Sequence, residues 1–223
     1  MDLAAVQQRI ARAAERVGRR PDAVTIVAVT KSHPIAAVRE AAAHGLPDVG
    51  ENRVQEAVAK QDQWPDAPVR WHLIGHLQRN KAKLAVGRFA LIHSLDSVRL
   101  ADALELAAAA RRVVQDVLVE VNVAREGQKS GALPEDAEAI VRHAATLEHL
   151  RVRGLMTMAP YTDDVAVQRA TFRGLRELAS TLPIPHSPFP ILSMGMSNDF
   201  EIAIEEGATM VRLGTILFGE RQP

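Results

Sequence analysis

Apolar and polar positions along the chain alternate between two periods. The first segment repeats every three or four residues: Val6, Ile10, Ala13, Ala14 and Val17 share one face, with Arg9, Arg12 and Arg16 elsewhere. That spacing predicts an amphipathic helix, stopped by Gly18 and Pro21. Short β-branched runs and helical stretches then follow in turn. Strands are predicted at 24–29, 46–49, 69–74, 90–93, 117–123, 152–156, 191–193 and 209–213. Helices are predicted at 34–44, 53–63, 80–86, 98–111, 134–147, 163–182 and 197–206, with no clear helix after the last strand. The unit of about 25–30 residues is the size of a βα unit. Regular alternation requires a parallel sheet, and eight units favour closure. The expected fold is a single (β/α)8 TIM-type barrel with an extra N-terminal helix, one domain over residues 1–223. A doubly wound open sheet is the rival. The proline-rich stretch Pro183–Pro190 is too short for a domain linker.

Composition narrows the function classes. Lys+Arg and Asp+Glu are 27 each, so the formal charge is zero. That balance disfavours a nucleic-acid binder working by phosphate neutralisation and a polybasic membrane anchor. Without cysteine there is no disulfide, thiolate nucleophile or Cys-ligated metal. There is no run of eighteen apolar residues, so no transmembrane helix is expected. The Arg-rich first helix could be read as a mitochondrial presequence, but Asp2, Glu15 and the lack of serine oppose that. The cytoplasm is the expected location.

Barrel chemistry sits where strands end. Lys31 closes the apolar run Ile26-Val27-Ala28-Val29-Thr30. A desolvated lysine at a barrel mouth is a candidate Schiff-base amine; a lysine snorkelling to solvent is the plain alternative. Ser193-Met194-Gly195-Met196-Ser197 and Gly214-Thr215 follow the last two strands, the usual phosphate position of such barrels, although ordinary turn glycines would look the same. Arg212 lies inside Met210-Val211-Arg212-Leu213 and needs a partner: Glu51, Glu120 or a ligand acceptor. Polar residues close the other strands too: Glu51 and Asn52, His72 and His76, His93 to Asp96, Asn122, and Thr157. His72 and His76 lack the glutamate of a zinc-protease motif, and no metal site is expected. Gly127-Gln128-Lys129-Ser130-Gly131 lacks the spacing of a P-loop, and neither GxGxxG nor GxSxG occurs.

Five ordered motifs resemble one family. They are Val27-Ala28-Val29-Thr30-Lys31, Gly50-Glu51-Asn52-Arg53-Val54-Gln55-Glu56, the run from Trp71 to Lys81, Leu192 to Asp199, and Met210 to Arg221. Together they look like the pyridoxal phosphate homeostasis proteins, over essentially the whole chain. The resemblance implies a barrel similar to the N-terminal domain of alanine racemase. It implies that Lys31 holds pyridoxal 5′-phosphate (PLP) as a Schiff base. Ser193, Met194, Gly214 and Thr215 match phosphate-binding positions, Arg212 the arginine facing the pyridine nitrogen, and Asn52 a residue lining the ring. Lys129 matches a second lysine near the cofactor, while His33 replaces a further lysine of many relatives. The implied role is a carrier that buffers and delivers PLP, with apo-forms of PLP-dependent enzymes as partners and a monomer as the unit. A racemase-like PLP enzyme and a cofactor-free Schiff-base aldolase are the alternatives.

Overall fold

The computed structural model describes residues 1–183 and 191–220. Eight parallel strands close in sequence order into a barrel: β1 (Thr25–Val29), β2 (Asp48–Glu51), β3 (Arg70–Leu73), β4 (Leu91–Leu95), β5 (Gln115–Glu120), β6 (Leu150–Met156), β7 (Ile191–Ser193) and β8 (Met210–Leu213). Closure is made by β1 against β8, where Thr25 to Ala28 pair with Met210 to Leu213. This rules out the open sheet. The connecting helices are α2 (Ile35–Ala43), α3 (Val54–Gln63), α4 (Ala82–Ala85), α5 (Val98–Arg111), α6 (Pro134–Ala144), α7 (Val165–Thr181) and α8 (Phe200–Glu205). Each lays an apolar face on the barrel wall; in α5 that face is Leu100, Ala101, Leu104, Ala107 and Ala108.

The extra helix is α1 (Leu3–Glu15), begun where the Asp2 carboxylate accepts the Ala5 N–H at 3.1 Å. It buries Val6, Ile10, Ala13 and Ala14 and is tied to α8 by Arg9–Glu201 at 2.7 Å and Arg16–Glu205 at 2.6 Å. One close approach demands glycine. Gly154 in β6 has φ +155°, and a Cβ there would lie 2.0 Å from the Ile191 carbonyl. The β5–β6 register shifts beside it, between Val117 and Leu118.

Several predicted boundaries move. A single turn, α9 (Thr215–Phe218), follows β8 where no helix was expected. β5 ends at Glu120, because the Asn122 side chain turns the chain by bonding both the N–H and the carbonyl of Glu126. α8 starts three residues late, because Asp199 accepts the Met196 N–H at 2.6 Å and holds a turn first. Most of the proline-rich stretch, residues 184–190, lies outside the described residues, as does 221–223.

Candidate functional site

β1 delivers Lys31 to the C-terminal mouth of the barrel, in a turn closed by the His33 N–H on the Thr30 carbonyl at 3.1 Å. Both neighbours of Lys31 are anchored from behind. The Thr30 carbonyl accepts from Lys60 Nζ at 2.8 Å, and the Ser32 N–H donates to Glu56 Oε1 at 2.6 Å. Ser32 holds φ +62°, a left-handed conformation uncommon for serine. Lys60 is buried on the inner face of α3 and also meets Glu51 Oε1 at 2.6 Å and Glu56 Oε1 at 3.0 Å. Glu51 accepts from Thr30 Oγ1 at 2.6 Å as well. Burial pushes the Glu51 carboxyl up, against the opposing pull of Lys60 and Thr30. Burial acts on Glu56 in the same sense, but the Ser32 N–H and Lys60 outweigh it and hold that carboxyl low. This ion cluster was not foreseen from sequence, since a lysine on a polar helix reads as solvated.

A cavity of about 740 Å³ opens at this mouth, large enough for a small cofactor. Lys31, Asn52, Arg212, Gly214 and Thr215 line it together. His33 lines it as well, its ring tilted against Phe218 at 5.6 Å. Gly75 lets the wall close, because a Cβ there would stand 2.4 Å from the Asn52 carbonyl. The loop from Met158 to Asp163 forms the far wall and carries the single tyrosine, Tyr161, 93% exposed.

Three expected residues stand back from the cavity lining. Ser193 is buried in the barrel, where its Oγ accepts from Arg212 Nη1 at 2.8 Å. Met194 is also buried, and its N–H is used by the Met210 carbonyl at 3.1 Å. Lys129 pairs with Glu126 and donates to the Ala159 carbonyl at 2.9 Å, directly behind the wall. The structure leaves their side chains in these roles.

Arg212 is the buried cation of the cavity floor. Its hydrogen bonds go to the Ser193 hydroxyl and, at 2.9 Å, to the Thr157 carbonyl. These neutral acceptors replace the carboxylate partners proposed from sequence. Glu120 and Asp199 act on it through their charge without a hydrogen bond. Burial lowers its pKa to about 10, so it stays protonated at neutral pH and donates only. Glu120, at the end of β5, was expected only as a candidate partner of Arg212 and not as part of the cavity lining. It lines the cavity, accepts from Ser130 Oγ at 2.7 Å through Oε1, and keeps Oε2 buried with no protein hydrogen bond. Burial pushes both the Glu120 and the Asp199 carboxyl up.

His93, expected at the mouth, is instead fully buried inside the barrel with His72. Burial, followed by the repulsion a proton on His72 would add and by the Arg212 cation, puts its pKa well below the ordinary 6.5. The unfolded ring gains a proton below about pH 6.5 and the folded ring does not, so stability is present above that pH and lost as pH falls. His93→Gln should therefore flatten the fall in unfolding free energy between pH 7.5 and 5 in urea melts, by a slope of at most ~1.4 kcal/mol per pH unit. An unchanged slope would show that His93 is protonated in the folded state.

The site is thus a closed parallel barrel with a lysine just after β1, a buried arginine on β8 and glycine-threonine after it. The chain matches the family described as "Alanine racemase, N-terminal domain" over residues 1–222. It is 45% identical over 221 residues to the pyridoxal phosphate homeostasis protein of Aquifex aeolicus, covering 99% of this chain and 97% of that one. It is 45% identical to the protein of the same name from Pseudomonas aeruginosa, covering 99% and 94%. The structure of PipY from Synechococcus elongatus with PLP bound superposes with TM-score 0.82 at 40% identity, covering 96% of this chain and all of that one. The chain belongs to the pyridoxal phosphate homeostasis protein family.

Proposed function

We propose that this protein binds PLP in the 740 Å³ cavity, linked to Lys31, and buffers and delivers it without substantial turnover. When bound, PLP supplies an aldehyde that condenses with amines and a ring that can withdraw electrons. One observation carries the reading: Lys31 and the buried, donor-only Arg212 line the same cavity. The residues fit the group. Glu120 Oε2, without a protein partner, is a further polar contact available to it. Gly214 and Thr215 would take the phosphate at the end of β8, Asn52 would flank the ring, and Lys129 would stay behind the wall.

Arg212 would face the ring nitrogen with an N–H and release no proton to it. That leaves the ring a poor electron sink, which suits a carrier better than a racemase. The one tyrosine is exposed, so it does not supply a buried acid. Apo-forms of PLP-dependent enzymes are the partners of this reading. Among the described residues no helix is long and apolar enough to cross a membrane.

The test loads the protein with PLP, removes the excess, and adds an apo-aminotransferase. Transfer should restore aminotransferase activity. The loaded protein should also exchange the α-proton of L-alanine in heavy water no faster than free PLP. Rapid exchange that depends on Lys31 would move the protein into the racemase class. A protein that takes up no PLP and cleaves an aldol substrate would be the aldolase.

A further inference from the structure

A continuous line of buried side chains runs through the barrel from the cavity floor to its opposite end. Arg212 Nη1 meets Ser193 Oγ at 2.8 Å, and Ser193 Oγ meets His93 Nδ1 at 3.0 Å. His93 Nε2 meets His72 Nδ1 at 2.9 Å, and His72 Nε2 meets Asp48 Oδ1 at 2.8 Å. Asp48 is the first residue of β2, at the far end from the mouth. Its carboxylate is also gripped by Arg70, Nε to Oδ1 at 2.7 Å and Nη2 to Oδ2 at 2.6 Å. All five members of the line are at most 4% exposed.

Its two ends and the buried Ser193 hydroxyl, which needs an acceptor for its proton, fix its direction. Arg212 can only donate, and an ionised Asp48 can only accept. Between them stand three groups that do both, joined by four bonds. With both histidines neutral, each bond has one proton only if both carry it on Nε2. His72 then donates to Asp48, His93 to His72, Ser193 to His93, and Arg212 to Ser193. A single charged histidine would make His93 donate from Nδ1, and Ser193, accepting from both His93 and Arg212, would be left with a buried O–H that has no acceptor in the line. The Ser193 hydroxyl is thereby committed: its proton goes to His93 and it receives one from Arg212.

We propose that this one-directional line holds Arg212 in place on the cavity floor and couples it to Asp48 across the barrel. Asp48, His72, His93 and Ser193 are then positioning residues for whatever heteroaromatic ring Arg212 faces. Only that last link rests on the reading of the cavity as a PLP site. On this account Ser193 acts at the ring end of the ligand, through Arg212.

The ligand-free protein tests the line directly. Two-bond ¹H–¹⁵N spectra of ¹⁵N-histidine protein, assigned with His72→Gln and His93→Gln, should show both rings as the neutral Nε2–H form. An Nδ1–H tautomer or a charged ring at either position would overturn the proposal. Asp48→Asn replaces the acceptor-only end by a group that also donates, so the line can run either way. His93 should then become a mixture of tautomers. The visible band of the PLP-loaded variant should shift, although Asp48 lies far from the cavity. A single unaltered His93 tautomer with an unshifted band would refute the coupling. Should Asp48→Asn not fold, Ser193→Ala reads the line from its other end. The resolved guanidinium Nη signals of Arg212 should be lost, and their persistence would overturn the proposal. If PLP fails to bind the native protein while the tautomers are as stated, the cofactor reading fails and the line stands.

Discussion

Lys31→Ala should lose the yellow colour of the PLP-loaded protein altogether. The visible band of such a complex comes from the carbon–nitrogen double bond between the aldehyde and a lysine amine. No substitution elsewhere in the cavity removes that amine. The variant should keep weaker binding, because Arg212, Asn52, Gly214 and Thr215 still line the cavity. Each retained hydrogen bond to a charged acceptor contributes roughly 1.5–3 kcal/mol. Ultraviolet-visible titration together with equilibrium dialysis separates the two quantities. A Lys31→Ala protein that remains yellow would place the link on another lysine.

Lys60→Met should destabilise the fold more than other single substitutions near the site. It removes one member of a buried ion cluster and leaves the Glu51 charge in the protein interior. Stranding a buried charge in this way costs about 3–5 kcal/mol. The turn that carries Lys31 should loosen too, because Lys60 also holds the Thr30 carbonyl. The sign of the pH dependence follows from Glu51. Its folded pKa is raised above the ordinary 4.5, so as pH falls the folded state takes up a proton before the unfolded chain does. The penalty of Lys60→Met should therefore shrink as pH falls towards 4.5, because protonation removes the stranded charge. Urea denaturation at pH 7 and pH 5 measures this. An equal penalty at both would mean that Glu51 is not the group left unpaired.

The barrel is legible because its signals are local. β-branched runs, helical spacing and punctuation by glycine and proline recur in one rhythm, and eight parallel strands with helical crossovers have few ways to pack. Lys31 and Arg212 were equally readable, since each is a cation set within an apolar run that hydrophobicity alone does not explain. Lys60 was not readable. It follows Val54 and Ala57 at three-residue spacing on the buried face of α3, yet its side chain gives no apolar signal there. Its burial depends on two glutamates that only the folded chain brings near. Ser193 shows a different limit. Sequence places it at a strand end, but whether its hydroxyl points to the mouth or into the barrel depends on strand register, and one residue of slip reverses the answer. His72 and His93 stand 21 residues apart and meet only because β3 and β4 are neighbours. Their pairing has no counterpart in local spacing.

Borohydride reduction of the PLP-loaded native protein, followed by peptide mapping, tests the central claim most directly. Reduction turns the reversible link into a stable secondary amine and marks the lysine that formed it. The account predicts a single pyridoxyl adduct on the peptide containing Lys31, at one per chain. An adduct chiefly on Lys129, Lys81 or Lys60, or no adduct in protein shown to retain PLP, would contradict it.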